Sequence, residues 1–150
     1  MKRCVLCDGS LKKTLTKYTR SFGSHRIAID LPATACTKCG EDYVSGEVLL
    51  RADLLTASAL PGAGIATGEA FKFMRKALGL RAADLAEMLS VDAATISRWE
   101  TGKGPVDRAA LATLAAAATE RLAGGEATLG RLRALGEGRG GRLVRIEFAD

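Results

Sequence analysis

The spacing of apolar residues changes character along the chain. In residues 1–45 it is alternating. Lys12-Lys13-Thr14-Leu15-Thr16-Lys17-Tyr18-Thr19 predicts an extended strand, and Phe22-Gly23-Ser24 a turn. His25 to Leu31 predicts the returning strand, with Ile27, Ile29 and Leu31 on one face and Pro32 as its end. From Gly46 to about Ser58 the period is helical, and Val48, Leu49, Ala52 and Leu55 form the predicted stripe. The stretch Leu60 to Gly68 holds three glycines and a proline, which predicts a hinge between two bodies.

Beyond it the helical period returns in shorter pieces. Phe71, Met74 and Leu78 mark one helix ending at Gly79, and Leu85, Ala86 and Leu89 mark a second. Ser90-Val91-Asp92 reads as a turn in which Asp92 caps a third helix, Ala93 to Glu100, that stops at Thr101-Gly102. Val91 and Ile96 anchor that helix inward, leaving Ala94, Thr95, Ser97 and Arg98 outward. The alanine-rich run Ala109 to Ala118, with Leu111 and Leu114, predicts a helix whose small residues suit a dimer face or close packing within the chain. At the end, a Gly/Arg/Glu loop from Gly136 to Gly141 precedes Arg142 to Phe148, which alternates like a half-buried strand.

These elements predict an α+β chain of two small units: a β-rich domain over 1–59, a hinge over 60–68, an all-α domain over 69–121 and a helix/strand extension over 122–150. No window approaches the roughly 18 apolar residues of a membrane span, and no targeting sequence appears, so a reduced, cytoplasmic protein with no membrane partner is expected. The net charge is +5 and the pI about 9.2. That balance permits nucleic-acid binding. Residues 1–60 carry nine Lys/Arg against six Asp/Glu, and residues 61–121 eight against seven. A DNA-binding role therefore rests on the placement of charges, not on their sum.

The chemistry of the first third lies in its cysteines. The chain has four, paired as Cys4 with Cys7 and Cys36 with Cys39. Two thiolates three residues apart grip one ion from a tight turn, and a second such turn completes the S4 shell that suits Zn2+. A disulfide framework would use the same count but belongs to secreted chains, and Met1-Lys2-Arg3-Cys4 opens no apolar leader. A thioredoxin-like site needs one pair on a βαβ pattern, which is absent. One structural Zn2+ per chain is expected, and with few aromatics in some 60 residues, metal and fold should be one equilibrium. His25, the only histidine, is expected on a strand surface rather than as a ligand. Lys12, Lys13 and Lys38 would partly offset the charge of a zinc tetrathiolate. Four thiolates leave no open coordination position, and no hydrolase motif is present, so an enzyme is not expected.

Leu78-Gly79-Leu80, Asp84-Leu85-Ala86 and Thr95-Ile96-Ser97-Arg98-Trp99-Glu100-x-Gly102 resemble the Cro/lambda-repressor (XRE) helix-turn-helix family over about residues 69–120. The whole order, paired C-x-x-C followed by that motif, resembles the MqsA/YgiT family of zinc-finger antitoxins and regulators. Cys36-Thr37-Lys38-Cys39-Gly40-Glu41 matches its second knuckle well, while Cys4-Val5-Leu6-Cys7-Asp8-Gly9 puts Asp8 where the family usually has Gly. Asp tolerates a left-handed turn better than most residues.

The resemblance implies a recognition helix that presents its N-terminal residues to base edges in the major groove. Arg98 is then the leading DNA contact, to guanine or to phosphate. Thr95 and Ser97 would bond base or phosphate, Ala94 could touch a thymine methyl, and Lys103 would reach phosphate, with Lys72 and Lys76 as weaker candidates. Arg75 and Glu100 are implied to form an internal salt bridge, and Trp99 is expected to pack on the flank of the motif. Ala94 and Ala82 replace polar readers that relatives carry, so the recognised sequence should differ from theirs. The expected function is a DNA-binding transcriptional regulator acting as a homodimer on a palindromic operator. An antitoxin repressing its own operon, its zinc module binding an mRNA-cleaving ribonuclease toxin, stands beside a regulator without toxin and an adaptor that has lost DNA binding.

Overall fold

The computed structural model describes residues 2–138, 141 and 143–148. Two twelve-residue strands, β1 (Leu11–Phe22) and β2 (His25–Cys36), pair antiparallel, and a short β3 (Asp42–Tyr43) adds to β2, giving the sheet order β1-β2-β3. The hairpin register sets Leu11 opposite Cys36 and Phe22 opposite His25. That alternation turns Thr14, Thr16, Tyr18 and Phe22 to the same face as Ile27, Ile29 and Leu31, the apolar face expected from the sequence. His25 is exposed at the turn.

Among the described residues six α-helices follow: α1 (Gly46–Ala59), α2 (Gly68–Ala77), α3 (Ala82–Met88), α4 (Ala93–Glu100), α5 (Arg108–Leu122) and α6 (Ala127–Glu137). Four of them start at a side-chain cap, with Ser45, Thr67, Asp92 and Asp107 each accepting from a backbone N–H three residues on. The α+β architecture thus agrees with the sequence.

The packing of α1 does not follow the stripe its sequence predicts. Ala52, Leu54, Thr56 and Ala57 are buried, while Leu49 and Leu55 are about two-fifths exposed (39% and 41%). The helix is apolar on most sides, so periodicity could not choose its face. Its partner α5 buries Ala110, Leu114, Ala117 and Ala118, and small residues on both helices permit close approach. The alanine face of α5 is therefore used within the chain.

The stretch 60–68 is not a free joint either. Leu60 and Ile65 are buried in the helical core, and Pro61–Ala63 forms a 3-10 turn between them. One apolar cluster runs from Phe22 at the hairpin tip through Leu54, Phe71, Leu85, Ile96 and Leu114 to Leu129 on α6. The hairpin joins it through Phe22, edge-on to Phe73 at 5.3 Å, and through Tyr18, whose hydroxyl donates to Asp53 of α1 at 2.8 Å.

The predicted C-terminal strand is not formed. Arg142 lies outside the described residues. Residues 143–148 have no regular structure, and Leu143, Val144, Ile146 and Phe148 are exposed. Alternation alone cannot make a strand without a sheet edge to pair with.

Between α2 and α4 the fit leaves no room for a side chain. A Cβ built on Gly68 would lie 2.1 Å from the Trp99 carbonyl oxygen and 3.1 Å from the Glu100 carbonyl. Alanine is the better helix former by about 1 kcal/mol, yet here overpacking against backbone must win. Gly68→Ala is expected to lower stability by about 1–3 kcal/mol, read as a fall in the urea midpoint at unchanged slope. A rise in the midpoint would show that the helix pair has slack.

Candidate metal centre and nucleic-acid interface

Each C-x-x-C pair lies in a tight turn flanked by strand. Arg3 bridges to Ser10 around the first turn, where Asp8 takes a positive φ of 56°, the left-handed conformation expected of it. The second turn links β2 to β3. Thr37 ties the two together by donating its N–H to the Ser10 carbonyl at 2.9 Å.

Together they bring all four Sγ atoms within 4.8 Å of one another. Cys4 and Cys39 are 3.6 Å apart at sulfur, and Cys7 and Cys36 3.4 Å. A tetrahedral S4 shell with metal–sulfur bonds of about 2.3 Å has edges of about 3.8 Å, so the spacing fits. The four thiols are free rather than joined as disulfides.

The surroundings fit a metal thiolate as well. The backbone N–H groups of Lys38 and Cys39 point at Cys36 Sγ at 3.3 and 3.5 Å, and the Tyr43 hydroxyl lies 3.0 Å from Cys4 Sγ. A Cβ on Gly9 would stand 2.7 Å from Cys36 Sγ and 2.9 Å from Lys38 Cβ, so only glycine lets the first turn close over the second.

Electrostatics say the same. The Tyr43 hydrogen bond pulls the Cys4 thiol down to about 6. The Cys39 N–H, with help from that of Lys38, holds Cys36 below the usual thiol range. Cys7 goes up to about 12: the Gly9 N–H draws it down, but the Cys36 sulfur, burial and the remaining sulfurs outweigh that pull. Four sulfurs so close do not all take negative charge without a cation among them.

In the helical part, Ala94, Ser97 and Arg98 are exposed on α4, and Lys103 is exposed just beyond it. Thr95 is half-buried and its hydroxyl is engaged, donating to Asp92 Oδ1 at 2.6 Å and accepting from Arg98 Nη2 at 3.0 Å. Arg98 is thus held along the outer face of α4. Ile96 is fully buried, and Val91 packs against the core.

Arg75 and Glu100 meet as the resemblance implied. Nε bonds Oε1 at 2.5 Å and Nη2 bonds Oε2 at 3.2 Å, with both side chains about 10% exposed. The third guanidinium arm donates to the Leu80 carbonyl at 2.8 Å. Trp99 packs edge-on against Phe71, with centroids 5.4 Å apart, which makes it structural.

Residues 67–120 match a helix-turn-helix domain family. The match supports a DNA-binding regulator, and the helix-turn-helix domain accounts for α2 to α5. It spans little more than a third of the chain; the metal cluster, α1 and α6 lie outside it. No curated protein and no solved structure matches the chain. Among the described residues, no helix is long and apolar enough to cross a membrane.

Sequence reasoning named the four cysteines that the fold brings together and the salt bridge. It missed Gly9 and Tyr43. Glycine in a knuckle is unremarkable in sequence, and Tyr43 is brought to Cys4 only by the pairing of β3 with β2, in which Tyr43 stands opposite Thr34.

Proposed function

We propose that this protein is a sequence-specific transcriptional repressor that reads a palindromic operator as a homodimer, with Zn2+ as a structural ion in its Cys4 centre. The observation that carries the reading is the outer face of α4. Ala94, Ser97 and Arg98 stand exposed on a helix whose inner side is locked by Ile96 and by the Arg75–Glu100 pair. Two such helices in a two-fold dimer would enter successive major grooves about 34–36 Å apart.

The finer reading is an antitoxin that represses its own operon and holds an mRNA-cleaving ribonuclease through its metal-bearing hairpin. Its support is the order of the two modules and the resemblance of both knuckles to the MqsA/YgiT family. A small ribonuclease-like gene next to this one, whose product co-purifies with the hairpin, is the expected finding. Its absence would leave the repressor reading without the toxin.

Gel shifts on the protein's own promoter across a salt series test the DNA-binding reading. Arg98→Ala is expected to weaken specific binding by about 1–3 kcal/mol and to relax the preference at one base pair per half-site. Loss of affinity on all sequences alike, with a smaller salt slope, would assign Arg98 to phosphate instead. Unchanged binding to promoter and random DNA would remove α4 from the interface.

A further inference from the structure

We propose that Tyr43 is a positioning residue of the metal centre: its hydroxyl donates a hydrogen bond to the Cys4 thiolate and braces the two knuckles against each other. The inference rests on the metal-site reading above.

Tyr43 follows the second knuckle and Cys4 opens the first, so the 3.0 Å contact crosses from one to the other. A metal-bound thiolate carries no proton. The hydroxyl must therefore be the donor. Its aim is set by backbone, because β3 pairs with β2 through Thr34 and Ala35 immediately before Cys36. Ser10 and Thr37 join the same two turns a second time, hydroxyl to hydroxyl at 2.9 Å. Two side-chain contacts thus tie the turns that carry the four sulfurs.

The contact also fastens the centre to the helices. Two residues after Tyr43, Ser45 caps α1 by accepting from the Val48 N–H at 3.2 Å, and α1 packs on α5 and α2. Outer-shell hydrogen bonds of this kind orient a ligand and tune the charge it gives the metal.

The test is Tyr43→Phe in the full chain, which keeps the ring and removes the hydroxyl. Competition with a chromogenic chelator should show Zn2+ affinity reduced at least about tenfold. With Co2+ in place of zinc, the sulfur-to-metal charge-transfer band should move to lower energy, since an unbonded thiolate holds its electrons less tightly. A merely structural role for the ring would leave that band in place.

The chain has two tyrosines, and Tyr18 bonds Asp53, not a thiolate. Fluorotyrosine incorporated into the unsubstituted chain, a stronger donor, should therefore move the band the opposite way. That arm holds even if the phenylalanine variant fails to fold. Unchanged affinity and an unchanged band in a folded Tyr43→Phe protein, or no band shift with fluorotyrosine, would overturn the proposal. An unsubstituted protein that binds neither Zn2+ nor Co2+ would instead overturn the metal-site reading beneath it.

Discussion

Cys36→Ser is expected to abolish metal binding and to unfold the knuckle end of the hairpin while α2 to α6 stay folded. The apolar inventory explains why. Among residues 2–45, Cys4, Phe22, Leu31, Ala33 and Cys36 are the buried apolar positions, and two of those five are candidate ligands. Most other side chains on β1 are exposed or half-exposed. Such a segment buries too little to offset its own chain entropy, which runs to about 1–2 kcal/mol per residue for the backbone. Zinc binding supplies on the order of 10–16 kcal/mol in small zinc modules. No protein contact in the hairpin approaches that.

The loss should not spread evenly. Phe22 and Tyr18 hold the far end of the hairpin to α2 and α1, whose core does not depend on the sulfurs. Hydrogen exchange should rise first around residues 4–10 and 34–43, and least in α2, α4 and α5. Chelation of the metal should reproduce the same map. An exchange map identical to that of the unsubstituted protein would mean that the hairpin stands without its ion.

Arg75→Met should destabilise the helical part by about 3–5 kcal/mol, because it strands the buried Glu100 carboxylate and frees the Leu80 carbonyl. The pair contributes geometry more than net stability. It locks the end of α4 to α2, and a well-packed apolar replacement of both partners should recover part of the loss. The double variant Arg75→Met with Glu100→Leu is therefore expected to be more stable than the single one, with coupling visible in a double-mutant cycle measured without DNA. An arginine that contacts DNA would behave in the opposite way: stability would hold and affinity alone would fall. That pattern, with no coupling, would show the pair to be incidental.

Much of this was legible in the sequence wherever one residue type serves one purpose. Four cysteines in two C-x-x-C pairs allow few arrangements, and Asp92 ahead of an apolar-periodic run can hardly be anything but a cap. Ile96 and Leu85 are buried as their spacing required. Legibility failed where several positions compete for one role. Leu49, Leu50, Leu54 and Leu55 all suit the buried face of α1, and the choice was made by small residues on α5, more than fifty positions away. The stretch 60–68 has the composition of a hinge because tight turns need the same residues as flexible ones, and only the burial of Leu60 and Ile65 tells them apart. Residues 143–148 show the converse: a strand pattern with no neighbour to pair with. Tyr43 was invisible for a third reason, since register is a property of two strands and not of either alone.

The shared core bears on how this helix-turn-helix domain is inherited or grafted. The matched region ends at residue 120, yet α1 covers α5 from one side. From beyond the match comes α6, whose Leu129 is almost wholly buried and whose Thr128 N–H and hydroxyl are both held by Glu120. A fragment cut at the borders of the match would expose the alanine face of α5 to water and leave Glu120 without its partner. Recombination that moves α4 to another scaffold must carry the flanking helices with it, and the glycines of residues 60–68 are no seam, because Leu60 and Ile65 among them are buried in the shared core.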